Sequence, residues 1–145
     1  MDHLVVIDTN VFVSACLGSG PANDVLRTCL QGRCTPLMGA ALFAEYEDVL
    51  QRDHWARASP LNSAERERLF EIFLSRCRWT RVYFGWRPNL PDEADNHLIE
   101  LAIAGGASHI VTRNLRDLAR GELRFEHLRI LDPLSFLKEN ATWAP

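Results

Sequence analysis

The sequence predicts an α/β domain built on a mainly parallel β-sheet. Short apolar runs of β type recur along the chain, and amphipathic helical stretches lie between them. This alternation is typical of parallel strands that are joined by helical crossovers. The 145 residues suit one domain, and an apolar share of 47% with a charged share of 24% is ordinary for a globular protein.

Five strands and five helices follow from this pattern in chain order. The predicted strands cover residues 4–7, 35–37, 80–84, 109–112 and 128–131. The predicted helices lie near residues 22–31, 40–52, 63–77 and 94–104, with a short one after Pro133. Asn62, with Glu65 three residues later, predicts a capping box at the start of the third helix. The pair Gly105-Gly106 predicts the end of the fourth.

Composition narrows the classes of function. No basic segment precedes an early apolar run, and no apolar run reaches the ~18 residues of a membrane span, so we expect a cytoplasmic protein without membrane contact. The net charge of −3 gives no overall basic field for nucleic acid. All sixteen basic residues except Lys138 are Arg, which suits phosphate contacts but also follows from genome composition.

The cysteines do not predict a metal site. Cys16, Cys29, Cys34 and Cys77 form no CxxC pair, and no group of His residues accompanies them. We therefore expect small buried side chains with unreactive thiols, and no zinc.

Carboxylates stand at two places where an apolar surface is expected. In VVIDTNVFVSA, Asp8 ends the first predicted strand and is followed by Thr9 and Asn10. In the helix near 40–52, Glu45 falls on the apolar stripe, whereas its acidic neighbours fall outside it. An unpaired carboxylate on such a surface is costly, so Glu45 needs a cationic partner or a polar cleft.

Two further acidic regions have a simpler alternative reading. Asp92 and Asp95 fall in the first turn of a helix, where carboxylates cap amides and favour the helix dipole. In HIVTRNLRDL, a predicted strand ends at the polar residue Thr112, and Asn114 and Asp117 follow it. Asn114 could be a helix cap and Asp117 a first-turn residue.

Strand ends provide a reason for these acids to converge. Ligands of parallel α/β sheets bind outside the carboxyl ends of the strands.

Each ionised carboxylate pair at ~4 Å and an effective dielectric of ~20 costs about 4 kcal/mol before screening. Lys is almost absent, and no His clusters with these acids by any known spacing. A divalent cation is therefore expected, and oxygen ligands favour Mg²⁺ or Mn²⁺ over Zn²⁺.

Four motifs in the same order resemble the PIN-domain ribonucleases across nearly the whole chain. They are IDTNVFVSA, FAEYEDVL, DNHLIELA and TRNLRDL. The resemblance implies a three-layer, flavodoxin-like α/β/α domain over residues 1–140, with a tail at 141–145. It also implies a central parallel sheet of five strands in the order 3-2-1-4-5.

The resemblance also implies roles for individual residues. Asp8, Glu45, Asp95 and Asp117 would be the catalytic acids, and Asp8 and Asp95 would bind the metal. Asn10, Thr112, Asn114 and Asp92 would support them, and Arg113 and Arg116 would contact RNA. In many family members the position of Asn114 is Asp, so this chain lacks one negative charge there, which weakens the case for a second metal ion.

The segment RPNLPDEADNHLIELAIAGGASHIVTRNLRDL resembles a bacterial branch of the family, described as toxin components of toxin–antitoxin systems and related to VapC toxins. This implies an endoribonuclease that uses Mg²⁺ or Mn²⁺ and leaves 5′-phosphate ends. It also implies an antitoxin that covers the active cleft, and a homodimer. The alternative within the family is a degenerate PIN domain that binds RNA or a protein without cleavage.

Two other fold families fit the sequence less well. A receiver domain needs a second acid near the first strand and a Lys after the last, but Asp2 precedes the strand and Lys138 lies in a helix. A dinucleotide-binding domain needs a glycine-rich turn after the first strand. DTNVFVSA has none, and GSGPAN at 18–23 is a loop after a helix.

Overall fold

The central sheet has five parallel strands. The structure is a computed structural model and describes residues 3–18, 20–82, 96–115 and 127–143. The strands are β1 Leu4–Ile7, β2 Thr35–Met38, β3 Arg78–Trp79, β4 His109–Val111 and β5 Arg129–Leu131. They are arranged in the order β3-β2-β1-β4-β5, with every neighbouring pair parallel. The predicted α/β class and strand order are confirmed.

Helices connect the strands on the described part of the chain. They are α1 Thr9–Cys16, α2 Pro21–Leu30, α3 Ala40–Leu50, α4 Asp53–Ala56, α5 Ser63–Arg76, α6 Asn96–Gly105 and α7 Pro133–Glu139. The five predicted helices are confirmed to within about two residues wherever they are described. The capping box is also present, since Asn62 Oδ1 accepts from Glu65 N–H and Glu65 Oε1 accepts from Asn62 N–H.

The third strand is shorter and earlier than predicted. The prediction of residues 80–84 is wrong for 80–82, and residues 83 and 84 lie outside the described residues. The reason is the length of the partner strand: β2 ends at Met38, which pairs with Trp79, and Gly39 then caps α3. One more hydrogen bond forms beyond β3, from Thr80 N–H to Met38 O at 2.8 Å. Residues 81 and 82 then have no β2 residue to pair with, because β2 has already ended.

Helices α1 and α3 are fixed relative to the sheet by a cluster of aromatic rings. The rings of Phe12, Tyr46, Phe70 and Phe73 contact one another with centroids 5.3–5.8 Å apart. The Tyr46 hydroxyl donates to Ile7 O at 2.7 Å, just before β1 ends. Residues at the start of α1 and on α3 are therefore held close to the carboxyl end of β1.

Helix α6 approaches the sheet closely at its last residue. A side chain at Gly105 would place its Cβ 2.3 Å from Leu37 Cδ1, so only glycine fits this contact without displacement. The helix ends there, and Gly106 follows with φ of +71°. The predicted helix end is confirmed.

The cysteines are free thiols, and Cys16, Cys29 and Cys34 are buried. Burial raises the pKa of Cys16 to about 11 and that of Cys77 to about 12, as expected of unreactive thiols. Within the described ranges, no helix is long and apolar enough to span a bilayer. Trp143 stacks on His3 with ring centroids 3.8 Å apart, and the division into a domain and a tail at residue 141 stays a prediction.

Candidate active site

The polar residues that follow β1 and β4 meet at one edge of the sheet. These strands pair in register up to Ile7 and Val111. Asp8 continues the ladder by donating its N–H to Val111 O at 3.0 Å. Thr112 donates its N–H to Leu131 O at 3.0 Å. The two side chains therefore lie side by side at the carboxyl ends of the central strands, where ligands of such sheets bind.

Asp8 accepts hydrogen bonds from neutral donors. Its Oδ2 accepts from the Thr112 hydroxyl at 2.7 Å and from Asn10 Nδ2 at 3.2 Å. Asn10 is held in turn by its Oδ1, which accepts from the Arg113 N–H at 3.1 Å. These contacts fix the orientation of the Asp8 carboxylate before any ligand arrives. The supporting roles of Asn10 and Thr112 remain predictions, but both side chains touch Asp8.

The environment of Asp8 disfavours its charge. Asp8 is only 4% exposed. Burial raises the pKa of its carboxyl group; the Thr112 hydrogen bond lowers that pKa, and the nearby charge of Glu45 raises it further. Within the described ranges, no Lys or Arg forms an ion pair with Asp8. Part of the energetic cost of this buried carboxylate is thus left without compensation in the chain.

Glu45 reaches the same region from α3. Thr9 Oγ1 donates to Glu45 Oε1 at 2.8 Å and also lies 3.4 Å from Asp8 Oδ1. The hydroxyl of one side chain thus connects the two acids. The other acids of α3, Glu47 and Asp48, are exposed as predicted.

His97 is the residue that sequence analysis missed. Its Nε2 lies 2.5 Å from Glu45 Oε2, so the expectation that no His clusters with the acids is wrong. This hydrogen bond lowers the pKa of Glu45; burial raises that pKa, and the Thr9 bond lowers it again. The pair joins α3 to α6 across 52 positions of the chain, and spacing within one helix gives no sign of it.

The remaining predicted residues divide into two groups. Arg113 is exposed, and its Nη1 donates to Ser14 Oγ at 2.5 Å. Asn114 donates its backbone N–H to Thr112 Oγ1 at 3.0 Å, and its side chain has no hydrogen-bond partner in the described ranges. Asp92, Asp95, Arg116 and Asp117 lie outside the described residues.

The described donors fit part of a site for a hard cation. Asp8 and Glu45 supply carboxylate oxygens, which Mg²⁺ and Mn²⁺ prefer. A divalent cation would also neutralise the buried Asp8 carboxylate, which forms no ion pair with any Lys or Arg that the structure describes. Among the described residues, no group of three His, Cys, Asp or Glu side chains is close enough to hold a metal ion. Asp95, the other predicted ligand, is not among those residues.

Comparisons with known proteins agree with this topology. A family model described as PIN domain matches residues 4–116. No curated protein sequence matches the chain. Among solved structures, the chain is similar to one of VapBC2 from Rickettsia felis bound to a DNA fragment from their promoter, with a TM-score of 0.57 and 17% identity over 89% of this chain and 98% of that chain. At that identity the similarity shows a shared fold.

Proposed function

Because the chain belongs to the PIN-domain family, we propose that it is a metal-dependent endoribonuclease that hydrolyses RNA phosphodiester bonds. The observation that supports this most is the buried Asp8 carboxylate at the end of the central strand. It has hydrogen-bond donors but no ion pair with a Lys or Arg in the described ranges, and burial raises its pKa more than the charge of His97 lowers it. A folded protein keeps such an uncompensated charge where a ligand needs it.

The roles proposed for Asp8 and Glu45 follow from their positions, and those proposed for Asp95 and Asp117 follow from the family motifs. Asp8 and Asp95 would hold Mg²⁺ or Mn²⁺, and Glu45 and Asp117 would complete the acidic set. Such a cation, when bound, lowers the pKa of water and offsets charge on a phosphoryl group. Thr112 and Asn10 orient Asp8, while His97 and Thr9 orient Glu45. Asp92 supports the set or caps its helix.

Substrate contacts would come from the edge of the site. The Arg113 side chain is exposed and is anchored to Ser14 beside the site. We assign to Arg113 and Arg116 the binding of the RNA backbone, because a guanidinium forms paired hydrogen bonds with phosphate. Asn114 replaces a carboxylate with an amide, so one firmly bound metal ion is the simplest arrangement.

We propose further that the protein is the toxin of a type II toxin–antitoxin system. The resemblance of its motifs to VapC toxins and the fold that it shares with VapBC2 support this. The proposal includes a cognate antitoxin whose segment covers the active cleft, a homodimer, and a cytoplasmic location.

A second candidate is a PIN domain that binds RNA or a protein without cutting. Asn114 favours it, since the amide adds no negative charge and its side chain has no hydrogen-bond partner in the described part of the chain. This candidate keeps the metal site but predicts no cleavage of any RNA.

The test is RNA cleavage by purified protein in Mn²⁺, Mg²⁺ or EDTA. We expect the wild-type protein to cut with a metal ion and to stop in EDTA, and we expect Asp8→Asn to be folded and inactive. Asp48→Asn is the matched control, because Asp48 is an exposed acid of α3 that pairs with Arg52 at 2.6 Å. Cleavage by Asp8→Asn at the wild-type rate, or ends carrying 2′,3′-cyclic phosphate, would contradict the proposal.

A further inference from the structure

A cavity of about 600 Å³ lies beside the candidate active site. It is lined by the first turn of α3, by the residues from Trp79 to Val82, and by His97, Glu100 and Leu101 of α6. His97 is part of this lining and also bonds Glu45, so it forms a wall between the cavity and the acids. The volume falls in the range of ligand pockets in proteins, roughly 300–1,000 Å³.

Trp79 presents an aromatic surface to this cavity. It is 56% exposed, whereas Trp55 is 7% exposed and bonds Val49 O. The Trp79 ring meets Phe43 edge to face, with centroids 6.2 Å apart, so its position is fixed from the protein side. Apart from this contact with Phe43, no described aromatic ring packs on Trp79, and more than half of its surface stays exposed. Such rings are platforms for unpaired nucleobases.

The charges around the cavity suit a nucleotide. Arg81 is exposed and, in the described ranges, has no hydrogen-bond or ion-pair partner. The first turn of α3 also lines the cavity, and its N-cap residue Gly39 offers no side chain to the free N–H groups. Glu100 lines the wall on α6, so the lining is not uniformly cationic. A neutral base suits this mixed surface, and a phosphate suits Arg81.

We propose that this cavity is a nucleotide subsite for single-stranded RNA. A base adjacent to the cleaved phosphate stacks on Trp79, and Arg81 contacts the phosphate of that nucleotide. The inference rests on the proposed function, because the acids next to His97 must be where RNA is cut. Stacking accepts every base and requires it to be unpaired, so the subsite selects unpaired RNA over duplex more strongly than it selects sequence.

The experiment compares Trp79→Ala, Trp79→Phe and wild type. Binding of a labelled single-stranded oligonucleotide and of its duplex is measured in EDTA, and KM and kcat for cleavage are measured in Mn²⁺. Alanine should weaken single-strand binding by roughly 5- to 150-fold, the equivalent of one stacked base, and raise KM by a similar factor with little change in kcat. Phenylalanine should restore most of the affinity, and duplex binding should not change.

Leu134→Ala is the matched control, because Leu134 is 52% exposed on α7 and lies outside this cavity. Equal losses of single-strand and duplex binding in Trp79→Ala would overturn the subsite, and so would a failure of Trp79→Phe to restore binding. Unchanged affinity of Trp79→Ala for RNA would also overturn it and would assign Trp79 to a protein interface. If wild type cleaves RNA and Trp79→Ala binds it normally, the subsite is wrong and the proposed function stands. If Trp79→Ala selectively loses single-strand binding but wild type cleaves no RNA, the subsite stands and the proposed nuclease activity is wrong. If wild type binds no RNA, both are overturned.

Discussion

The two ends of strand β4 both carry a buried polar residue, but they balance charge in opposite ways. His109 begins the strand and Thr112 follows it, and they are 6% and 0% exposed. At the His109 end, Glu139 accepts from Arg129 Nε at 2.9 Å and lies 3.4 Å from His109 Nε2. At the Thr112 end, Asp8 accepts from the Thr112 hydroxyl and the Asn10 amide, and it forms no ion pair with a described Lys or Arg. Glu139 therefore has an arginine partner, whereas Asp8 has none among the residues that the structure describes.

The pKa shifts follow this difference. Burial is the largest single influence on Glu139 and raises its pKa, but the hydrogen bonds and charges of Arg129 and His109 together outweigh it, so the pKa is lowered. Burial raises the pKa of Asp8, and the donors around it do not reverse the shift. The charge at the His109 end is neutralised in the folded chain and serves stability. The raised pKa means that the Asp8 charge at the Thr112 end costs stability in the folded chain, and under the proposed function a metal ion would offset that cost.

The largest expected effect is the loss of RNA cleavage when Asp8, at the Thr112 end of β4, is changed. Asp8→Asn should reduce RNA cleavage by roughly a thousandfold or more, since the carboxylate charge that holds the cation is lost. Glu139→Gln should cut RNA at nearly the wild-type rate, because its partners lie at the opposite end of β4. Initial cleavage rates in Mn²⁺ give both values. Comparable losses in the two variants would show that the two ends do not differ in function.

The next largest expected effect is the loss of activity when His97 is changed. His97→Ala should lower activity by roughly 10- to 100-fold, because Glu45 loses the hydrogen bond that orients it. We class His97 as a positioning residue, and His97→Gln, which retains a donor, should recover part of the rate. Single-turnover cleavage measures these rates, and thermal unfolding checks that each variant is folded. A rate for His97→Ala equal to that of wild type would exclude the role.

Thr112 tests the hydrogen bonds around Asp8. Thr112→Val keeps the shape but removes the hydroxyl that donates to Asp8 and accepts from Asn114 N–H. We expect a loss of about 1–3 kcal/mol in unfolding free energy and a lower cleavage rate. Thr112→Ser retains the hydroxyl and should recover most of both. Chemical denaturation provides the free energies, and equal stability of the Ser and Val variants would contradict the argument.

The smallest effects are on stability, and they have opposite signs at the two ends. The folded state holds the Asp8 proton to higher pH than the unfolded state, so stability falls as pH rises from about 3.9 through the raised pKa. Glu139 has a lowered pKa, so its contribution is present above about 4.3 and is lost as pH falls through the folded value.

Without metal at neutral pH, Asp8→Asn should therefore raise the melting temperature by about 2–5 °C. Glu139→Gln should lower the unfolding free energy by about 1 kcal/mol or less, as expected for a partly exposed ion pair. Melting in EDTA between pH 4 and 8 measures both. A lower melting temperature for Asp8→Asn would show that its charge is already compensated.

The fold was predictable from the sequence because the spacing of apolar residues and the capping and turn residues indicate the same elements over most of the chain. The Asn62 capping box and the glycine end of α6 depend on local sequence signals, and both predictions are confirmed. The five predicted helices do not include α1 and α4. In α1, Val11 and Val13 favour a strand by propensity, and the packing of Phe12 among three other rings overrides this. The shift of β3 depended on the length of β2, which no local signal in residues 78–84 contains.

The site was predictable where it depends on strand ends. The position of Asp8 after β1 follows from an apolar run that stops at a polar residue, and Thr112, predicted as the last residue of its strand, lies one residue beyond β4. The Glu45–His97 pair was not predictable from spacing, because it connects two helices through the tertiary fold. Trp79 was also missed as a surface feature, since an aromatic residue beside a predicted strand is normally assigned to the core.

The measurement that tests the central claim most directly is calorimetric titration of Mn²⁺ into wild type, Asp8→Asn and Glu139→Gln. If the Thr112 end of β4 is built for a cation and the His109 end is complete without one, wild type and Glu139→Gln should bind Mn²⁺ with similar affinity. Asp8→Asn should bind at least roughly tenfold more weakly. Equal binding by Asp8→Asn and wild type would contradict the account, because the unbalanced carboxylate would then not be the metal ligand.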